Sequence, residues 1–82
     1  MRPFDIVAWA EALGVGEREL PWALASRVRQ VEELHAELTK LRVGMAEVPD
    51  EAMLASISSA SRALGAAGDR LTDALSDVRR EH

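Results

Sequence analysis

Cysteine and tyrosine are absent from this chain, and its aromatic residues are two Trp and one Phe. Without thiols there are no disulfides and no thiolate metal centres to brace a small core, and the usage agrees with a reducing compartment. Charge of one sign is also scarce. The 10 Lys and Arg stand against 14 Asp and Glu, and the balance is shared as −1 over residues 1–16, −1 over 17–48 and −2 over 49–82. No segment therefore offers the basic stripe that phosphate neutralisation needs. Long apolar runs are missing too. The longest near the start is broken by Asp5 and Glu11, so neither a signal peptide nor a membrane span is expected, and the chain is read as soluble and cytoplasmic. Ala, Leu, Glu, Arg and Val dominate what remains, a composition that favours helix and predicts no sheet.

What the chain does contain is periodicity. Leu24, Val31, Leu38 and Met45 recur every seven residues, with Arg27, Leu34, Leu41 and Val48 three positions later. After Pro49-Asp50 a second run carries Ile57, Leu64, Leu71 and Val78 every seven, with Ala60, Ala67 and Ala74 between them. Two apolar columns at such spacing are the mark of helices that pack along a seam. The connection is too short for anything but a tight turn, which forces neighbouring helices antiparallel. The expected fold is all-α: a short N-terminal helix, then a long, coiled-coil-like antiparallel helical hairpin, assembling into a helical bundle. The whole of 1–82 is expected to be one helical domain, with helices over about 5–14, 18–46 and 50–80. A chain of this size buries only ~60–65% of its unfolded surface, so self-association or a partner is expected to complete the core.

Local signals set the helix ends. Asp5 is placed to cap the first helix and Gly14-Val15-Gly16 to end it. Pro21 is tolerated in the first turn of the second helix, where its missing N–H has no partner to lose. Arg79 and Arg80 suit the negative pole of the third. Gly65 and Gly68, with the Ala column, are read as allowing close helix approach.

Four constellations carry chemistry worth weighing. Ala10-x-x-x-Gly14-Val15 with Leu20 and Leu24 resembles the helix-turn-helix of bacterial DNA-binding proteins over residues 6–24. The resemblance implies a reading head on the second helix, yet Glu17 and Glu19 would sit where phosphates lie. Glu32-x-x-His35 puts a carboxylate and an imidazole on one helical face, but both fall outside the assumed seam, so no metal is expected. Ser56, Ser58, Ser59 and Ser61 have no adjacent base, and His82 is the last residue, so no catalysis is expected. Trp9 and Trp22 are the remaining candidates. Trp22 lies off the heptad seam, and exposed Trp commonly anchors interfaces; the intramolecular alternative packs Trp9 on Trp22.

The function expected is therefore a non-catalytic protein–protein interaction module, a small helical adaptor, chaperone or assembly subunit without cofactor. Its partner would be itself, as a homodimer or higher oligomer, or another helical protein. Trp9, Trp22 and Leu13 are the expected anchors, Leu34, Leu38, Leu41, Ile57, Leu64 and Leu71 the seam, and Arg27 a charged register determinant within it. If the second helix paired in parallel with its copy, Glu37 would face Arg42; a hairpin dimerising into a four-helix bundle also buries the Ala column and is preferred. The alternative is a small helix-turn-helix DNA-binding regulator or packaging factor, oligomerised by the hairpin.

Overall fold

A computed structural model describes residues 4–81; Met1 to Pro3, and the His82 set aside above, lie outside the described residues. Helix α1 spans Ile6–Leu13, α2 Leu20–Gly44 and α3 Glu51–Glu81, and a single 3-10 turn, Glu17–Glu19, leads into α2. Among the described residues there is no strand.

Each boundary has a local cause. The Asp5 carboxylate accepts the Ala8 N–H at 3.0 Å, taking up a donor that the first turn of α1 leaves free. At the other end Gly14 turns left-handed, with φ 68°, and the following Val15 N–H reaches back to the Ala10 carbonyl at 3.0 Å. Only glycine takes that backbone shape without a steric cost. Pro21 lies in the first turn of α2. Asp50 begins α3 by accepting the Met53 N–H at 2.9 Å.

Long helix α2 packs against α3. The start of α2 meets the end of α3, where Leu20, Leu24, Ala74, Leu75 and Val78 form one buried cluster. Farther along, Val28, Val31 and His35 lie beside Leu64, Gly65 and Gly68. Phe4, Ile6, Trp9, Leu13 and Val15 pack onto the cluster, so α1 and its flanks close that end of the molecule from within the chain. Of the buried apolar residues, Ala10, Leu20, Ala23, Leu24, Ala74, Leu75 and Val78 belong to this end, and Ile57 alone is buried towards the α2–α3 turn.

The result is a rod of 50 × 24 × 19 Å with a radius of gyration of 16.1 Å. A compact domain of this length would have a radius of about 12 Å. Two helices side by side have no second layer, so most side chains beyond the reach of α1 keep one flank in water.

The seam differs from the one the heptads predicted. On α3 the column Ile57, Leu64, Leu71, Val78 does face inward, but its companion is Leu54, Ser61, Gly68, Leu75, while Ala60 and Ala67 are exposed. On α2 and just past its end, Leu24, Val28, Val31, Leu38 and Met45 are buried or half-buried, whereas Arg27, Leu34, Leu41 and Val48 are exposed. On α3 the seam is thus completed by the neighbour four residues on, not three; on α2 Val28 shows the same shift, while His35 and Arg42, one and two repeats farther, are exposed. Arg27 is consequently no intruder in the seam: its guanidinium lies at the surface and donates to the Gln30 side-chain oxygen at 2.9 Å. Leu34 and Leu41 are likewise outside the α2–α3 contact.

Candidate functional site

The residues singled out for binding separate into two groups. Trp9 and Leu13 are half-buried and face the chain's own core. Trp9 stacks on Phe4, with ring centroids 6.2 Å apart and planes 21° from parallel, and not on Trp22. Leu38, Leu64 and Leu71 are half-buried and Ile57 is buried. Trp22 is 74% exposed and, with Leu13, Val15, Ala23, Ser26 and Arg27, lines a shallow hollow at the α1–α2 corner. Glu17, Arg18 and Glu19 beside that corner are all exposed, so the surface resembling a reading head carries two carboxylates for one guanidinium.

The larger apolar feature is one that heptad reading had assigned to the interior. Leu34, Leu41, Val48 and Met53 stand among the exposed large hydrophobic side chains, Leu34 at 53% and Leu41 at 46%. They belong to two columns, Leu20–Arg27–Leu34–Leu41 on α2, with Val48 in the turn beyond it, and Met53–Ala60–Ala67–Ala74 on α3. Both columns begin beneath α1. Leu20 and Ala74 are in the cluster onto which Phe4, Ile6, Trp9 and Leu13 pack, and they are 0% and 4% exposed. Leu34, Leu41, Ala60 and Ala67 occupy equivalent positions one, two or three turns of the repeat farther on and are open to solvent. One continuous face is therefore covered at one end and bare along the rest. Isolated apolar residues on a surface need no explanation, but exposed leucines that share a face with exposed alanines of the neighbouring helix do.

On the α2–α3 contact a cleft of about 250 Å³ is lined by Val28, Val31, Glu32, His35, Leu64, Gly65, Gly68, Asp69 and Thr72. Glu32, His35 and Asp69 are exposed and line the edge of this cleft. Among the described residues, however, no three His, Cys, Asp or Glu side chains are grouped to hold a metal ion. Ser56, the first of the serines considered, donates to the Ala52 carbonyl at 2.9 Å, an ordinary helical bond that leaves its oxygen engaged with its own backbone. Among the described residues no helix is long and apolar enough to cross a membrane.

The cleft also corrects the role given to the two glycines. A Cβ on Gly65 would meet nothing within 4 Å, and one on Gly68 would touch Val31 Cγ1 at 3.5 Å, an ordinary contact. Close approach does not require glycine at either position, while glycine in a helix interior costs roughly 0.5–1 kcal/mol relative to alanine. Gly65→Ala and Gly68→Ala are each expected to raise stability by about that amount. A denaturation series that finds either variant less stable than the parent would show that the helices approach more closely than this.

No protein-family model, no curated protein and no solved structure matches this chain, so its functional reading rests on the geometry above.

Proposed function

We propose that the chain is a non-catalytic protein–protein interaction module in which α2 and α3 form an antiparallel hairpin that presents the open part of this face to a helical partner. The observation that carries the reading is the contrast within one column: Leu20 is sealed by α1, and Leu34 and Leu41, in the same column, are left exposed. Where α1 lies, the face already serves as a helix-packing surface. Where it does not, apolar side chains on both helices remain without a cover, and helices with an apolar stripe wider than a two-residue seam are characteristic of bundles with more than two members. Small residues at Ala60, Ala63 and Ala67 allow an incoming helix to approach closely, and Leu34 and Leu41 supply the volume to bury. An adaptor, chaperone or assembly subunit acting in the cytoplasm fits this surface better than an enzyme, for which convergent polar groups in a pocket would be needed.

The reading is tested by photo-crosslinking in cells, with benzoylphenylalanine placed at Leu34 or at Val43. Both positions are exposed, at 53% and 72%, but Val43 is outside the two columns. Discrete protein adducts are expected from position 34 and not from position 43. Equal labelling from both, or none from either, would contradict an interaction face here.

A further inference from the structure

We infer that the occupant of the open face is a second copy of this chain. The two hairpins would stack face to face about a two-fold axis perpendicular to the helices, α2 on α2 and α3 on α3. The inference rests on the proposed reading of this face as an interaction surface, and adds to it the identity and orientation of the partner.

Self-complementarity is the first ground. A perpendicular two-fold axis requires each helix to be its own mirror in sequence about the level of the axis. On α2 the two exposed leucines, Leu34 and Leu41, are centred between Glu37 and Leu38. On α3 a centre between Ser61 and Arg62 pairs Ala60 with Ala63 and Ala67 with Ser56, all small. The fold sets this centre beside the one on α2: Val31 lies against Gly68, and following that pairing along the helices sets Glu37 level with Arg62 and Leu38 level with Ser61. One axis therefore places Leu34 on the second copy's Leu41 and Ala60 on its Ala63, each contact made twice.

The margins agree. The same axis sets Arg70 level with the second copy's Met53 and Arg27 level with the residues that follow its α2, so the cations fall at the ends of the stripe, where a stem covers apolar surface while the head stays in water. Lys40, 3.9 Å from its own Glu37, also comes within reach of the second copy's Glu37, bridging two carboxylates that would otherwise repel.

Helix α1 decides the orientation. It occupies this face at the Leu20 and Ala74 end. With the axis perpendicular to the helices, each α1 sits beyond the other copy's α2–α3 turn. An axis parallel to the helices would instead drive the two α1 helices into the same space.

Size allows a pair. The open stretch of α2 from Arg27 to Gly44 is about 26 Å long and the face is two helices wide, a footprint on the order of 500 Å² per copy, at the lower limit of specific interfaces. The chain exposes 6288 Å², against about 4,900 Å² for a globular monomer of this mass, so surface of that order is there to be buried.

Equilibrium sedimentation of the purified full chain tests this. The expected mass is twice the 9.0 kDa of one chain. Leu34→Glu and Ala60→Glu are expected to keep their helicity, since both positions are exposed in the single chain, and to sediment as monomers; Val43→Glu is expected to remain dimeric. A fully helical parent that stays monomeric at hundreds of micromolar overturns the inference, as does a dimer that neither Leu34→Glu nor Ala60→Glu weakens. Orientation is read from a nitroxide on Ala52→Cys, an exposed position of α3, where the perpendicular axis places the two labels about 30 Å apart and a separation below about 20 Å overturns it. A monomeric chain whose position 34 nevertheless crosslinks to a different protein removes self-pairing and leaves the interaction module standing; a monomer without such crosslinks removes both.

Discussion

Leu24→Ala is expected to lower the unfolding free energy by about 3 kcal/mol, the cost of removing a buried leucine and leaving a cavity. Leu24 is 0% exposed and belongs to the cluster shared by α2, α3 and the residues of α1. Nothing behind it can collapse inward cheaply, because Leu20 and Val78 in the same cluster are equally buried and residues of α1 pack against that cluster. For a chain of 82 residues, total stability is on the order of 4–12 kcal/mol, so this one change removes a large fraction of it. In melting experiments on dilute protein the midpoint should fall by roughly 12–24 °C. Leu34→Ala, the same substitution ten residues later on α2, is expected to move it by no more than the equivalent of about 0.5 kcal/mol under the same dilution. Similar losses at the two positions would mean that the helices meet through the column that includes Leu34, and the rotated seam would be wrong.

The two tryptophans are expected to differ almost as much. Trp9→Ala should destabilise the chain by about 2 kcal/mol, because the indole is half-buried, stacks on Phe4 and packs on the core cluster. Trp22→Ala should cost no more than about 0.5 kcal/mol, since its ring is 74% exposed. Single-tryptophan variants give an independent reading: fluorescence from Trp9 should be poorly quenched by acrylamide and blue-shifted, and that from Trp22 freely quenched. Equal quenching would mean that α1 does not dock as described. Trp22 then remains available to a partner at the α1–α2 corner, whereas Trp9 and Leu13 act through the fold.

Much of this architecture was legible because its signals are local. Asp5 and Gly14 delimit α1, Pro21 fits the first turn of α2, and Pro49-Asp50 separates α2 from α3, each through a backbone requirement that one or two residues meet. The columns through Leu24 and through Ile57 were legible as well, since they repeat every seven residues. What periodicity left undecided was which neighbouring column completes the seam. Ala60 and Ala67 look more apolar than Ser61 and Gly68, and Leu34 and Leu41 far more apolar than His35 and Arg42. A count of apolar residues therefore chose the wrong side on α3, and on α2 it put the exposed Leu34 and Leu41 into the seam. The packing is decided instead where side chains are largest: Leu75 and Leu54 share the column of Ser61 and Gly68, and Leu75 meets Leu20, Leu24 and Val78 under α1. Burying those leucines outweighs burying alanines. The error is informative, because the apolar column the chain does not use for its own seam is the one it leaves on the surface.

In the proposed dimer a single face is closed by α1 at one end and by a second copy along the remainder. Since the chain has no cysteine of its own, Ala74, Ala67 and Ala60, which occupy one column, can each be replaced by Cys and their reaction rates with a thiol reagent followed from dilute to concentrated protein. The account predicts that Ala74→Cys reacts slowly at every concentration, being beneath α1, whereas Ala67→Cys and Ala60→Cys react quickly when dilute and become protected as concentration rises. Three equal rates, or fast reaction at Ala67→Cys and Ala60→Cys that concentration does not slow, would contradict it.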